Sequence, residues 1–155
     1  MIAEPASFHS LLRRLLDGDL DRIMEIELAA YPYPWTRGIF ADCIRVGYEC
    51  WGLQAGDELI GYCIQTYAVG DNHLLNLCIA PDWQKQGLGS LLLGHAIRLA
   101  RMQNCHNILL EVRPSNPAGI QLYEKNGFII VGERPDYYRS TEGRENAIVM
   151  RLDLA

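Results

Sequence analysis

Residues 73–94 read HLLNLCIAPDWQKQGLGSLLLG, and this stretch decides the fold. Its first nine residues form a short apolar run that ends at Pro81, which predicts a buried strand. After Gly87, leucines recur at helical spacing with Ser90 and Arg98 on the other side, which predicts a helix. Because the first amides of a helix have no acceptor within it and its dipole is positive there, the turn between strand and helix is predicted to bind an anion.

Three kinds of phosphate-binding loop must be distinguished at this turn. A nucleoside-triphosphate loop requires four residues between its glycines and then Gly-Lys-Ser/Thr, which GLGS (residues 87–90) does not provide. A dinucleotide loop requires a small residue where this chain has Leu92. The third pattern is Gln-x-x-Gly-x-Gly, which Gln84, Gly87 and Gly89 satisfy. A plain strand-to-helix connector is the structural alternative.

The stretch LLEVRPSNPAGIQLYEKNGF (residues 109–128) contains the other candidate groups. Glu111 alternates with apolar residues in a predicted strand, Asn107–Arg113, and a carboxylate in a mostly buried strand must be paired, hydrogen-bonded or functional. A salt bridge or a solvated strand end is the structural alternative. Asn116 before a proline is typical of a helix N-cap. The seven residues from Asn116 to Tyr123 make nearly two turns, so both side chains are predicted on one helix face. Tyr123 taken alone is more typical of a core position.

Length and composition predict one domain spanning residues 1–155. A chain of 155 residues that is 49% hydrophobic is long enough for one core and too short for two. The N-terminus carries acidic Glu4 and no signal-peptide pattern, and the apolar runs are far shorter than the roughly 20 residues of a membrane span. A cytoplasmic location is therefore predicted. Residues 1–17 form an N-terminal extension of unclear role.

Cysteine, histidine and charge content narrow the possible partners. The five cysteines form no C-x-x-C pair, and the four histidines never fall at metal-ligand spacing with them, so no metal is predicted and the thiols are expected to pack as small apolar groups. Cys78 is accordingly predicted to be a core residue rather than a nucleophile. The net charge of −5 argues against nucleic acid as the main partner and favours a basic one.

The order of apolar patterns predicts an α+β fold with a sheet of mixed direction and helices on its faces. Strands and helices are interleaved along the whole chain, and a loop rich in tyrosine and arginine is expected before the last strand. The predicted helices are Asp19–Ala30, Arg37–Arg45, the helix after Gly87 and one from Asn116; the predicted strands are Tyr48–Leu53, Glu58–Tyr67, one from His73, Asn107–Arg113, Phe128–Glu133 and Asn146–Leu152.

At the glycine turn the chain resembles the GCN5-related N-acetyltransferases. Together with PDWQKQGLG, the segments EVRPSNPAGIQLYEKNGF and GRENAIVMRL are similar to the branch of bacterial ribosomal-protein-alanine N-acetyltransferases. The resemblance is close over residues 72–152 and looser before them. It implies a mostly antiparallel central sheet flanked by helices. It also implies acetyl transfer from acetyl-coenzyme A to the N-terminal α-amine of a protein, with the N-terminal alanine of small-subunit ribosomal protein eighteen as the acceptor.

The resemblance also implies roles for individual residues. Glu111 would be the general base, Tyr123 the general acid, and Asn116 would hydrogen-bond the coenzyme near its acetyl end. The backbone of the apolar strand would bind the pantetheine arm in the manner of strand addition, and the glycine turn would bind the pyrophosphate. The residues for the arm are Leu77, Cys78 and Ile79, and those for the pyrophosphate are Lys85, Gln86, Gly87, Leu88, Gly89 and Ser90.

The chemistry of an amine acceptor agrees with these roles. An α-ammonium group has a pKa of about 7.7 to 8.0, so a base must remove its proton before the amine attacks a thioester at neutral pH. Backbone amides of the central strand would stabilise the oxyanion, and no covalent acyl-enzyme is required.

Aromatic residues supply candidates for acceptor binding. Tyr31, Tyr33 and Trp35 near the start and Tyr137 and Tyr138 in the expected late loop would form two walls of a peptide groove, although ordinary packing explains each equally well.

Two other functions remain open at this point. The same fold would serve an acetyltransferase for a small amine or a lysine side chain, for which a closed pocket is expected instead of an open groove. A sensor that binds acyl-coenzyme A without turnover would leave Glu111 and Tyr123 as structural residues.

Overall fold

The computed structural model describes residues 10–154, in which seven strands alternate with four α-helices. The strands are β1 (Ser10–Arg14), β2 (Glu49–Ala55), β3 (Glu58–Ala68), β4 (Asp71–Ile79), β5 (Asn107–Val112), β6 (Ile129–Ser140) and β7 (Gly143–Asp153). The helices are α1 (Leu20–Ala30), α2 (Arg37–Val46), α3 (Leu88–Met102) and α4 (Pro117–Lys125). The strand order β1-β2-β3-β4-β5-β7-β6 is mostly antiparallel, with β4 and β5 parallel. The predicted α+β sheet flanked by helices is confirmed.

The described chain forms two compact units. One contains residues 10–66 and 76–96, and the other contains residues 67–75 and 97–154. The single domain over residues 1–155 stays a prediction.

The first unit is built on the antiparallel strands β1, β2 and β3, with α1 and α2 in the same unit. Thr36 begins α2 as its N-cap, because its side chain accepts a hydrogen bond from the Ile39 amide at 3.3 Å, and Gly47 ends it in the left-handed region at φ 84°. The prolines between α1 and α2 cannot continue a helix, so the chain turns there as predicted. The core of this unit is made of fully buried side chains: Ile23, Ile26, Phe40, Leu53, Ile60, Tyr62 and Ile64.

The N-terminal extension contains a strand that the sequence analysis did not predict. Ser10–Arg14 pairs antiparallel with β2, from Ser10 opposite Ala55 to Arg14 opposite Trp51. Arg13 then forms an ion pair of 2.8 Å with Asp19 at the start of α1. A strand of five residues is too short for an alternation of apolar and polar residues to be recognised in the sequence. Its extended conformation is instead stabilised by pairing with β2. The rest of the extension, residues 1–9, lies outside the described residues.

The second unit contains β5, β6, β7 and α4. Predicted strands Asn107–Arg113 and Asn146–Leu152 are confirmed, although β7 begins earlier, at Gly143. The prediction of a loop after Glu133 was wrong, because β6 continues to Ser140. The register between β6 and β7 shifts between Arg134 and Tyr138, and Pro135 lies within this irregular segment. A proline is tolerated at a bulge or on an edge strand, and β6 lies at the edge of the sheet.

Candidate active site

The glycine turn connects β4 to α3 through a short 3₁₀ helix, Pro81–Trp83, and has the backbone shape of an anion-binding loop. Lys85 and Gly87 both lie in the left-handed region, at φ 64° and 81°. A Cβ added at Gly87 would meet no atom within 4 Å, so open space faces that backbone. The Gln84 side-chain amide donates to the Ile79 carbonyl at 2.9 Å, which ties the turn to the end of β4. The turn therefore fits a phosphate group placed over the first amides of α3.

Six residues predicted to bind the pyrophosphate lie together in this turn and the first turn of α3. Lys85, Gln86 and Gly87 form the loop, and Leu88, Gly89 and Ser90 begin the helix. The Leu88 side chain is buried and anchors the start of the helix in the core. Of the residues in the Gln-x-x-Gly-x-Gly pattern, Gln84 ties the turn to β4, Gly87 has the left-handed conformation of the turn, and Gly89 lies in the first turn of α3.

The end of β4 contains the residues predicted to bind the pantetheine arm. The side chains of Leu77, Cys78 and Ile79 are all buried, which leaves their backbone as the part available to a ligand. Tyr31 donates its hydroxyl to the Leu77 carbonyl at 2.7 Å, so that carbonyl already accepts one hydrogen bond. The parallel pairing with β5 covers three residues of β4, Asp71–His73. That the end of β4 binds the pantetheine arm stays a prediction.

Cys78 does not have the properties of a nucleophile. Its side chain is 4% exposed. Burial raises the pKa of its thiol to about 12, so at neutral pH the thiol is almost entirely protonated. The prediction that Cys78 is a core residue agrees with this environment.

Glu111 lies on β5 at the centre of a polar cluster. Its Oε1 is 2.8 Å from His73 Nε2 and accepts a hydrogen bond from the Tyr137 hydroxyl at 3.4 Å, and its Oε2 is 4.0 Å from Arg134 Nε. The neighbouring residues Ile108, Leu110 and Val112 are buried, as the alternating pattern predicted. The carboxylate is therefore held on the polar side of a strand whose other side is in the core.

The cluster determines the protonation of Glu111. Burial raises the pKa of its carboxyl group, but the hydrogen bond from His73, electrostatic attraction to His73 and Arg134, and the Tyr137 hydroxyl together outweigh burial. The net result is a pKa below the ordinary value of 4.5. Glu111 is consequently a carboxylate at neutral pH and is ready to accept a proton.

Helix α4 carries Asn116 and Tyr123. Asn116 is the N-cap, and its Oδ1 accepts a hydrogen bond from the Gly119 amide at 3.1 Å, which confirms the predicted helix start. This bond uses the side-chain oxygen, so the Nδ2 amide is the group that Asn116 is able to offer to a ligand. The Tyr123 ring packs against Phe128 with 5.7 Å between ring centroids. Packing fixes the direction in which the tyrosine ring points.

The predicted aromatic residues fall in both units. In the first unit Tyr33 and Trp35 lie between α1 and α2, and the Trp35 ring packs on Phe40 at 5.1 Å. In the second unit Tyr137 and Tyr138 lie on β6 and contact each other edge to face at 4.8 Å. These two tyrosines were expected in a loop, and the strand instead fixes their spacing. That the aromatic residues form two walls of one groove stays a prediction.

Comparison with known proteins decides the family. The pattern of the Acetyltransferase (GNAT) family matches residues 20–128. The chain belongs to the GNAT family of acetyltransferases. The resemblance noted in the sequence is thereby confirmed.

Two relatives and one solved structure within the GNAT family illustrate the match. The chain is 36% identical over 137 residues to the [ribosomal protein bS18]-alanine N-acetyltransferase of Escherichia coli, covering 88% of this chain and 93% of that one. It is also 36% identical over 142 residues to the protein of the same name from Haemophilus influenzae, covering 91% and 97%. The crystal structure of the ribosomal-protein-S18-alanine N-acetyltransferase from Escherichia coli superimposes with a TM-score of 0.86 at 34% identity, covering 94% of both chains.

Acetyltransferases of the GNAT family use acetyl-coenzyme A as the donor. That the glycine turn binds the pyrophosphate of this donor stays a prediction. Among residues 10–154, no group of three or more His, Cys, Asp or Glu side chains is arranged to hold a metal ion. None of the helices in that part of the chain is long and apolar enough to cross a membrane.

Sequence reasoning did not identify two polar groups of this GNAT protein. His73 was recognised only as the start of a strand, yet it contacts Glu111. Glu27 is 1% exposed and accepts hydrogen bonds from the Tyr62 hydroxyl at 2.6 Å, the Trp35 amide at 2.9 Å and Asn76 Nδ2 at 3.3 Å. The one available signal was a carboxylate among the apolar residues of α1.

Proposed function

We propose that this GNAT acetyltransferase acetylates the N-terminal α-amine of a protein, and that its acceptor is the N-terminal alanine of a small-subunit ribosomal protein. The observation that carries the proposal is the 36% identity, over 88% of the chain, to a bS18-alanine N-acetyltransferase. The ionised carboxylate of Glu111 in a polar cluster supports the chemistry. We further propose that the protein acts in the cytoplasm and that residues 1–155 form a single domain.

The glycine turn and the end of β4 would hold the donor. The amides at the start of α3 would bind the pyrophosphate, and the backbone of Leu77, Cys78 and Ile79 would pair with the pantetheine arm. Asn116 Nδ2 would donate to the coenzyme near its acetyl end. Bound in this way, acetyl-coenzyme A would supply the acetyl group as a thioester.

Glu111 would act as the general base. It would remove a proton from the α-ammonium group, either directly or through water, and so make the nitrogen lone pair available for attack. Backbone amides of β4 would stabilise negative charge on the reacting carbonyl oxygen. Tyr123 would donate its hydroxyl proton to the departing sulfur. Direct transfer agrees with the buried, protonated thiol of Cys78.

The acceptor site is proposed to include Tyr33, Trp35, Tyr137 and Tyr138. Aromatic side chains suit a peptide because they provide large rigid surfaces with polar edges. The net charge of −5 would attract a basic N-terminal segment.

Acetylation of synthetic peptides tests the proposal. One peptide begins with alanine followed by aromatic and basic residues, and a matched peptide has a blocked N-terminus and an added lysine. Mass spectrometry should find acetylation of the α-amine only, because a lysine with a pKa of about 10.4 is much harder to deprotonate. The rate should fall as salt screens the acidic surface. Equal rates on both peptides, or preference for a free polyamine, would favour the small-amine or lysine acetyltransferase instead.

A further inference from the structure

His73 and Glu111 form the closest contact within the polar cluster. The distance between Nε2 and Oε1 is 2.8 Å, and the two side chains differ in exposure, at 38% for His73 and 7% for Glu111. In the parallel register His73 lies opposite Leu109, so Glu111 is two residues farther along β5 and on the same face. The contact therefore joins a nearly buried carboxylate to an imidazole that reaches solvent.

His73 differs from the other groups that face Glu111. From β6 the carboxylate faces Arg134, Tyr137 and Tyr138, and from β7 its register partner is Val149. Another carboxylate of this unit, Glu145 of β7, forms an ion pair of 2.9 Å with Arg113. Arginine stays protonated, and burial raises the pKa of both tyrosines. Among these groups, only histidine is of a residue type that gains and loses a proton near neutral pH.

The acidity of a carboxyl group creates a difficulty for a base that works alone. An α-ammonium group ordinarily has a pKa of about 8, whereas a glutamate carboxyl group ordinarily has a pKa of about 4.3. A proton on Glu111 is therefore unstable and must be passed on quickly. An imidazole, with an ordinary pKa of about 6.5, is a stronger base than a carboxylate and binds that proton more tightly.

We propose that His73 is a positioning residue that orients the Glu111 carboxylate and relays to solvent the proton that Glu111 takes from the acceptor amine. This inference rests on the proposed function of Glu111. The amine N–H bond breaks as its proton bonds to the carboxylate, and the nitrogen keeps the electron pair. In the resting state neutral His73 has its proton on Nε2 and donates it to the carboxylate. Once Glu111 is protonated, exchange with water moves the His73 proton from Nε2 to Nδ1, Nε2 accepts the proton of the Glu111 carboxyl group, and the resulting imidazolium releases the Nδ1 proton to water. Glu111 is then again a carboxylate and His73 is again neutral with its proton on Nε2, so protons and charge balance.

Two variants separate the relay from a merely structural contact. In His73→Ala both the hydrogen bond and the titrating group are lost. In His73→Gln the side-chain amide keeps a donor but cannot carry a proton. We expect kcat at pH 7 to fall at least about tenfold in both variants, within the range of proton-transfer catalysis. KM for acetyl-coenzyme A and the thermal unfolding temperature should stay close to the wild-type values, because neither variant alters the glycine turn or the core.

Chemical rescue and the pH profile provide the decisive readouts. Added imidazole should restore kcat of His73→Ala in proportion to its concentration, because free imidazole accepts the proton from Glu111. The defect should also shrink above about pH 8, where the amine arrives without its proton. Glu111→Gln should show no imidazole rescue. A wild-type kcat in His73→Gln, or no rescue of His73→Ala, would overturn the relay.

The same experiments distinguish this inference from the proposed function. Loss of turnover in Glu111→Gln together with full activity in both His73 variants would remove the relay and leave Glu111 as the base. Full activity in Glu111→Gln would remove the proposed mechanism and the relay together. Circular dichroism of each purified variant confirms that it is folded before its kinetics are compared.

Discussion

Two glutamates in this protein have their carboxyl groups largely removed from water, and their partners differ in kind. Glu27 on α1 is surrounded by neutral donors, namely the Tyr62 hydroxyl, the Trp35 amide and Asn76 Nδ2. Glu111 on β5 is surrounded by His73, Arg134 and the Tyr137 hydroxyl. Neutral donors fixed by the fold satisfy a carboxylate and lock it in place, whereas titratable and partly exposed partners allow it to exchange protons.

The comparison explains why burial alone does not identify a catalytic carboxylate. Glu27 is the more buried of the two, at 1% exposure, and its three hydrogen bonds join α1 to β3, to β4 and to the segment before α2. A buried acceptor with every partner supplied by the protein organises its surroundings. Glu111 instead has a partner that reaches solvent, and that connection is what a general base needs.

The largest expected effect is on turnover, from Glu111→Gln. The substitution keeps the size of the side chain and removes its basicity, so kcat should fall by about 10²- to 10⁴-fold at pH 7. Binding of acetyl-coenzyme A, measured by calorimetry, should be nearly unchanged, because the base acts on the acceptor amine. Raising the pH should restore part of the activity. Activity close to wild type at pH 7 would make Glu111 a structural residue like Glu27.

The second effect is on stability, from Glu27→Ala. Removing the acceptor leaves the Tyr62 hydroxyl and the Trp35 amide without this partner, which should lower the free energy of unfolding by about 1–3 kcal/mol. Glu25→Ala on the same helix is the matched control, since its exposed side chain should change stability by less than about 0.5 kcal/mol. Urea titrations followed by circular dichroism measure both. An equal, small change in the two variants would show that the Glu27 network contributes little.

A third substitution tests whether the glycine turn binds the donor independently of either glutamate. Gly89→Glu places a carboxylate at the start of α3, where phosphate oxygens are expected, and should raise KM for acetyl-coenzyme A about tenfold, equal to about 1.4 kcal/mol. Gly89→Ala is the control for the added side chain without the charge. Initial rates over a range of donor concentrations measure the effect. Unchanged donor affinity in a folded Gly89→Glu variant would remove the pyrophosphate assignment.

The smallest expected effect is the acid dependence of stability at Glu111. Because the pKa of Glu111 is lower in the folded protein than its ordinary value of 4.5, the carboxylate contributes stability that is fully present above that value. This contribution is lost as the pH falls through the lowered, folded-state pKa. Urea midpoints compared at pH 6 and below pH 4.5 should therefore decline more in the wild type than in Glu111→Gln. Parallel declines would show that Glu111 gains no stabilisation from its partners.

Most of the local structure was predictable because its causes lie within short segments. Asn116 before a proline begins α4, prolines end α1, and alternation marks β5. The continuation of β6 past Pro135 and the pairing of β1 were missed, because both depend on a partner strand rather than on their own residues. In each case hydrogen bonds to the neighbouring strand outweigh the weak conformational preference of the segment's own residues.

The sequence by itself determined the family, the glycine turn, the order of most strands and helices, and the candidate residues Glu111, Asn116 and Tyr123, since each is recorded in a short run of neighbouring residues. Only the tertiary structure decided what surrounds each carboxylate. Glu111 and His73 are 38 positions apart, and Glu27 finds its donors 35 and 49 positions away in Tyr62 and Asn76. Such contacts arise from strand register and packing, which no local pattern encodes. The physical difference between a structural and a reactive carboxylate therefore lies in the fold.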